Sequence, residues 1–162
     1  MGSATSGELR LVLVFELAGE SYGVDAQRVQ EIVRAVAPSR LPAAPRVVLG
    51  VFNLRGTAVA LIDLRARFGL ASSPLVASDV FVVLRGTARP LALRADAVRE
   101  ITKIDPSTFV PMQATSPRAA YAEGTALTRD GLLVICDVEH FLDEAERLTL
   151  EASLRAASEV GA

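Results

Sequence analysis

The chain has 162 residues, 51% of them apolar, and a formal charge of −2, enough apolar material for a continuous core and no basic excess of the kind nucleic acid demands. No apolar run reaches the roughly 20 residues that span a bilayer, which excludes membrane insertion by a helix. The small, polar start Met1–Gly7 lacks the basic and apolar regions of a secretory signal, and Cys136 has no second cysteine to pair with, so a reducing, cytoplasmic setting is expected.

Residues 1–9 read as a flexible tail and 10–160 as one domain. Residues 9–17, dense in Leu, Val and Phe, predict a strand, and Gly19 turns the chain back through Tyr22 to Asp25 to make a hairpin. Asp25 suits a helix N-cap. Ala26, Val29, Ile32, Val33 and Val36 then recur at three- and four-residue spacing, which predicts a short amphipathic helix. Pro38 and the stretch from Leu41 to Pro45 end it and impose a stiff connector. Strands follow over 47–52 and 57–62 with Gly56 in the turn. Asp63 caps a helical turn over 64–68, Gly69 stops it, and 71–78 is loop.

The pattern then restarts. Residues 80–84 and 90–93 make a second hairpin that leads into Val98-Arg99-Glu100-Ile101, and Val29-Gln30-Glu31-Ile32 follows the first hairpin 69 positions earlier. The run from Gly131 to Asp137 matches that from Gly56 to Asp63 at an offset of 74 or 75: turn glycine, apolar strand, capping aspartate. Two matches in one order predict two copies of a β-rich unit, about 10–70 and 78–142, contiguous or interleaved. A mainly β fold of two similar barrel-like lobes packed together is expected, with short connecting helices. A C-terminal helix is expected over 141–157, its apolar positions falling on two lines, Ala145 with Leu148, and Leu150 with Leu154 and Ala157.

The residues that could carry function cluster at the turn Asn53-Leu54-Arg55-Gly56. Arg55 is either solvated beside a turn-forming asparagine or held by a carboxylate, with Glu31 the candidate partner. Glu31 also has Arg28 and Arg34 three residues away on either side, so pairing within a helix competes. Asp63 and Asp137 read as caps, Cys136 as a buried thiol, and His140 as a surface residue with no second metal ligand at usable spacing. The sequence contains no phosphate-binding glycine loop, no Gly-x-Ser-x-Gly elbow and no His-Glu-x-x-His. The expectation is a protein that is not an enzyme and needs no cofactor or metal. Its rival is a small enzyme or ligand-binding barrel that would use Arg55 and Asp63 in an enclosed pocket between the lobes.

The stretches from Val14 to Asp25, Val29 to Ile32, Leu41 to Pro45, Gly50 to Gly56 and Leu61 to Arg65 together resemble the CheW-type coupling proteins of bacterial chemosensory arrays. Phe52 and Ala60 depart from that pattern, as does the Pro- and Ala-rich segment 106–130. The resemblance implies two SH3-like five-stranded β-barrels and an adaptor that joins the cytoplasmic signalling tips of transmembrane chemoreceptors to the regulatory domain of a CheA-type histidine kinase. It also implies association with other CheW-like domains in rings, in chemotaxis or in a motility or developmental pathway. With the chain closing at Ala162, the kind without a fused receiver domain is expected. By position, the receptor groove falls on Val29, Glu31, Ile32 and Gly50 near the first helix, with Arg55 and Glu31 as a buried or half-buried ion pair that shapes it.

Overall fold

The computed structural model describes residues 10–85, 87, 89–112 and 121–160. The tail expected over residues 1–9 and positions 113–120 of the divergent segment lie outside the described residues. Strands β1 (Arg10–Leu17) and β2 (Glu20–Asp25) form the first hairpin. Its two-residue turn has positive φ at both Ala18 and Gly19, the geometry whose twist matches the flanking strands.

The helix expected next does not form. Asp25 caps as anticipated, its carboxylate accepting from the Gln27 amide at 2.9 Å, but one 3-10 turn, Ala26–Arg28, is all that follows. Val29–Arg34 is a strand, β3, along which half-buried and exposed residues alternate. Val29, Ile32 and Val33 are β-branched and favour a pleated backbone, and the ladder offered by β6 (Val80–Leu84) completes the choice. Glu31 therefore has no helical neighbours at Arg28 and Arg34.

The rest of the chain is β4 (Val48–Leu54), β5 (Thr57–Ile62), α1 (Leu64–Arg67), then β6, β7 (Leu91–Ala95), β8 (Ala97–Ile104), β9 (Val110–Pro111), β10 (Ala122–Thr128), β11 (Gly131–Cys136) and α2 (Glu144–Val160). The helix α2 starts three residues later than expected because Asp143 and Glu146 make a reciprocal cap, each side chain accepting the other's amide at 2.7 and 3.0 Å. Phe141 and Leu142, assigned to the helix by sequence, are buried just before it. Leu150 and Leu154 face the core, whereas Ala145, Leu148 and Ala157 are exposed.

The strands form two sheets, in the orders β8-β1-β2-β11-β10-β9 and β3-β6-β7-β5-β4. Apart from the two-residue β9, the orders correspond strand for strand, each with a parallel join in the middle, β2 with β11 and β7 with β5. Strands β4 and β10 carry the same bulge, between Val48 and Gly50 and between Ala122 and Gly124. Asp63 and Asp137 share φ −95° and ψ 97°. These matches fix the offset at 74, so Gly131 stands opposite Thr57 and not opposite the turn residue Gly56. The five-stranded sheet is contiguous, β3 to β7. The six-stranded sheet takes β1 and β2 from before it and β8 to β11 from after it. The architecture is mainly β, two open SH3-like lobes with one long helix at the C-terminal end of the described chain.

Apolar side chains fill three layers. Phe52, Val59, Leu61, Phe81, Val83 and Ala92 form the interior of the five-stranded lobe, and Val12, Ile104, Ala126, Leu133 and Ile135 that of the six-stranded lobe. The largest layer lies between the lobes and takes Phe15, Leu17 and Tyr22 from one sheet and Ile62, Leu84 and Leu93 from the other, with Phe141 and Leu150 closing it. Both faces of the central strands are consequently apolar. Along β6, Phe81 and Val83 point into one lobe while Val82 and Leu84 point into the shared layer. Tyr22 stacks between Phe15 and Phe68, with ring centroids at 6.1 and 5.0 Å. Phe15→Ala should lower the unfolding free energy by about 3–5 kcal/mol, as a lower urea midpoint with one cooperative transition; two separated transitions would show that the lobes fold independently.

Candidate docking site

The site begins where the five-stranded sheet rolls up. Its edge strands, β3 and β4, are brought close by the segment after β3, in which Ser39 pairs with Val51 through two backbone hydrogen bonds of 2.8 and 2.9 Å. Gly50 sits beneath this bridge at φ +154°, and any Cβ there would collide with the Ser39 carbonyl oxygen. Its role is to let two backbones meet, and it is buried. Gly124 has the matching position on β10, where a Cβ would collide with the Val110 carbonyl oxygen.

At the far end of β4 the chain reverses through Arg55 and Gly56, both at positive φ. An arginine in the left-handed region is unusual, and the turn is supported by Asn53, whose Oδ1 accepts from the Gly56 amide at 2.7 Å. This backbone aims Arg55 across the seam at Glu31 on β3. Nη1 donates to Oε1 at 3.1 Å and Nη2 donates to Oε2, a two-point contact between a planar cation and a carboxylate. The hydrogen bonds from Arg55 hold the Glu31 carboxyl below its ordinary range. The pair was expected to be buried or half-buried, and Arg55 is not: its side chain is 67% exposed and that of Glu31 27%. The turn lifts the arginine above the sheet, so the pair is offered to solvent.

The structure thus brings Glu31 and Arg55 together and places Ile32, 44% exposed, next to Glu31 in the chain. Val36, just beyond β3, is exposed as well. Val29 is half-buried against the shared layer, and Leu54 packs on the interior of its own lobe. The other lobe repeats the residues but not the geometry. Glu100 and Arg129 stand at the positions of Glu31 and Arg55, yet Arg129 lacks the positive φ, and among the described residues the two form no ion pair. The charged corner belongs to one lobe.

Asp63, the other residue a polar pocket would need, is occupied as a cap, accepting from the Arg65 amide at 3.1 Å. A cavity of about 40 Å³ lies elsewhere, lined by Arg89, Leu91, Val138 and Leu150 among others, and includes neither Arg55 nor Asp63. Burial raises the pKa of the Cys136 thiol and keeps it protonated. His140 is exposed and bonded through Nδ1 to Asp137 Oδ2 at 2.7 Å. Among the described residues no three His, Cys, Asp or Glu side chains are grouped to hold a metal, and no helix is long and apolar enough to cross a membrane. What the corner offers is a surface: an edge strand, exposed aliphatic side chains and a fixed charge pair.

The chain as a whole matches a known class. The CheW-like domain model covers residues 11–146. The chain belongs to the CheW-like family. The chemotaxis protein CheW of Helicobacter pylori is 31% identical over 129 residues, 79% of this chain and 78% of the relative. That of Klebsiella aerogenes is 29% identical over 136 residues, 83% and 82% of the two chains. The crystal structure of the CheW scaffolding protein of Thermoanaerobacter tengcongensis superposes with a TM-score of 0.78 at 28% identity, covering 86% of this chain and 96% of that one. The CheW-like chain described here is accordingly a scaffold of chemotaxis signalling and not an enzyme.

Two outcomes follow from the corner's geometry. Because the folded Glu31 carboxyl lies below its unfolded value of about 4.3, the pair's contribution is complete above that value and fades as pH falls through the lower folded one. Arg55→Ala should move the NMR-titrated Glu31 pKa upward and leave the urea midpoint at neutral pH near that of the parent; an unmoved Glu31 would refute the pairing. Gly50→Ala should cost about 1–3 kcal/mol in unfolding free energy, from the strained backbone and the lost Ser39 bridge.

Proposed function

We propose that this chain couples transmembrane chemoreceptors to a CheA-type histidine kinase, working in the cytoplasm at membrane-associated receptor arrays. The helical signalling tip of a receptor lies along the β3 edge. Ile32 and Val36 supply apolar contact, and the Glu31–Arg55 pair sets register through its charges, as in other helix-in-groove contacts. The observation that carries this reading is a two-point ion pair held on an edge strand beside exposed aliphatic side chains.

The regulatory domain of the kinase is assigned to the other lobe. Leu127 and Leu132 face each other across the end of the β10–β11 hairpin and are both largely exposed, with Leu11 and Ile101 exposed on the same sheet. Apolar residues at a hairpin end suit barrel-to-barrel contact, and related CheW-like domains joined in rings would use the same surface. Each contact is weak alone, and an array makes weak contacts effective by raising local concentration. The corresponding strand orders and the shared 69- and 74-residue offsets support an origin as two copies of one unit, about 10–70 and 78–142, with strands exchanged between the copies.

Calorimetric titration of the chain with a receptor cytoplasmic fragment and, separately, a kinase regulatory domain tests the assignment. Ile32→Asp should weaken receptor binding by about tenfold or more and leave kinase binding unchanged, and Leu127→Asp should do the reverse. A folded parent chain that binds neither partner would remove the proposal, and loss of both contacts by either substitution would remove the division between lobes.

A further inference from the structure

Between its described strands the chain passes from one sheet to the other twice: from β2 to β3 through Ala26–Arg28, and from β7 to β8 through the single residue Asp96. Both crossings are gripped by a side chain from a matching place in the other lobe. Asp63 and Asp137 cap short turns, each accepting the amide two residues on, that of Arg65 at 3.1 Å and that of Glu139 at 3.2 Å. Arg65 reaches the β7–β8 crossing, where Nη2 donates to both oxygens of Asp96 at 2.8 and 2.7 Å. Glu139 reaches the β2–β3 crossing, where it pairs with Arg28 Nη1 at 2.7 Å. The geometry repeats with the charges inverted.

The two grips differ in their surroundings. The side chains of Arg65 and Asp96 are 9% and 32% exposed, and Asp96 also accepts from the Ala18 amide at 2.9 Å while its own amide donates to Glu16 O at 2.8 Å. Arg65 Nη1 donates further to Ala71 O at 3.2 Å. The side chains of Arg28 and Glu139 are 24% and 59% exposed. Arg28 adds a hydrogen bond from Nε to Arg85 O at 3.1 Å, and Arg85 returns one from Nη2 to Val29 O at 2.8 Å, at the first residue of β3.

We infer that Arg28 and Glu139 form a solvent-facing latch that positions the β3 edge against the opposite lobe, while Arg65 and Asp96 form the fixed joint. An ion pair with a largely exposed carboxylate, as at Glu139, is weak and screened by salt, whereas a part-buried pair whose arginine is sunk in the fold, as at Arg65, is less affected. The latch therefore yields first, and what it releases is the start of the strand that carries Glu31 and Ile32. Arg28 and Glu139 are positioning residues for the corner and make no contact with Glu31 or Arg55 through their ion pair.

Amide exchange on the full chain, followed by NMR, tests this without any partner, so its outcome is separate from the docking assignment. Raising NaCl from about 0.05 to 1 M should speed exchange of the Val29 and Arg85 amides about two- to fivefold relative to those of Ala18 and Asp96. Glu139→Gln should give the same acceleration at low salt and abolish the salt response, and Arg28→Glu, which sets two carboxylates together and removes the bond to Arg85 O, should give a larger acceleration that added salt reduces. The double variant R28E/E139R regains the ion pair but not the bond to Arg85 O, so its exchange should be slower than that of Arg28→Glu and faster than that of the parent. Equal salt response at both crossings, no response at either, or a double variant as fast as Arg28→Glu would overturn the inference.

Discussion

The apolar layer between the two sheets is the constraint on which the remaining structure depends. Small rolled sheets of five or six strands have little interior of their own, and here each lobe's private core is built from only a handful of buried side chains. The shared layer is larger and is supplied by the outward faces of the same strands. Parting the lobes would expose Phe15, Tyr22, Ile62, Leu84 and Leu93 together, so they behave as one body. For a scaffold this matters directly, because surfaces on opposite lobes keep a fixed relation only if the layer between them does not slip.

Against that rigid centre the edges of the five-stranded lobe hold two departures from ordinary backbone that shape the charged corner. Arg55 occupies a left-handed conformation, and Gly50 admits a carbonyl oxygen where a side chain would stand. Each departure is compensated locally, by Asn53 in the turn and by the paired amides of Ser39 and Val51. The ion pair with Glu31 then spans a seam that backbone hydrogen bonding leaves partly open. The same positions in the other lobe, Glu100 and Arg129, lack the turn that would aim them at one another, which shows that turn geometry and not residue identity creates the corner.

Much of this was legible in the sequence. Hairpins, capping aspartates and the recurrence of a β-rich unit were visible as local patterns, since each rests on residues a few positions apart or on a repeated string, while Glu31, 24 positions from Arg55, could only be named as its candidate partner. The family resemblance carried the adaptor role. Three features were hidden. Val29, Ile32 and Val33 imitate a helical stripe because three-residue spacing also arises on a strand whose two faces are unequally covered, and only the β6 ladder decides between them. That Arg55 is exposed and paired at once, where the sequence offered the two as alternatives, depends on a positive φ at Arg55 itself. The Arg65–Asp96 and Arg28–Glu139 pairs join residues 31 and 111 positions apart, and nothing in the spacing connects them. Of the expected groove residues, Gly50 belongs to the closure of the lobe and not to its open surface.

The order of strands along the chain has a consequence for synthesis. The five-stranded lobe is nested inside the other, complete in sequence from Val29 to Ala95, whereas Arg10 on β1 must wait for Ile104 and Tyr22 on β2 for Val134. A nascent chain can therefore assemble the lobe bearing the charged corner while its first hairpin still lacks both neighbours. Such distant partners make the outer sheet the slow step of assembly, and a ribosome stalled before β11 would leave β2 with a bare, sticky edge.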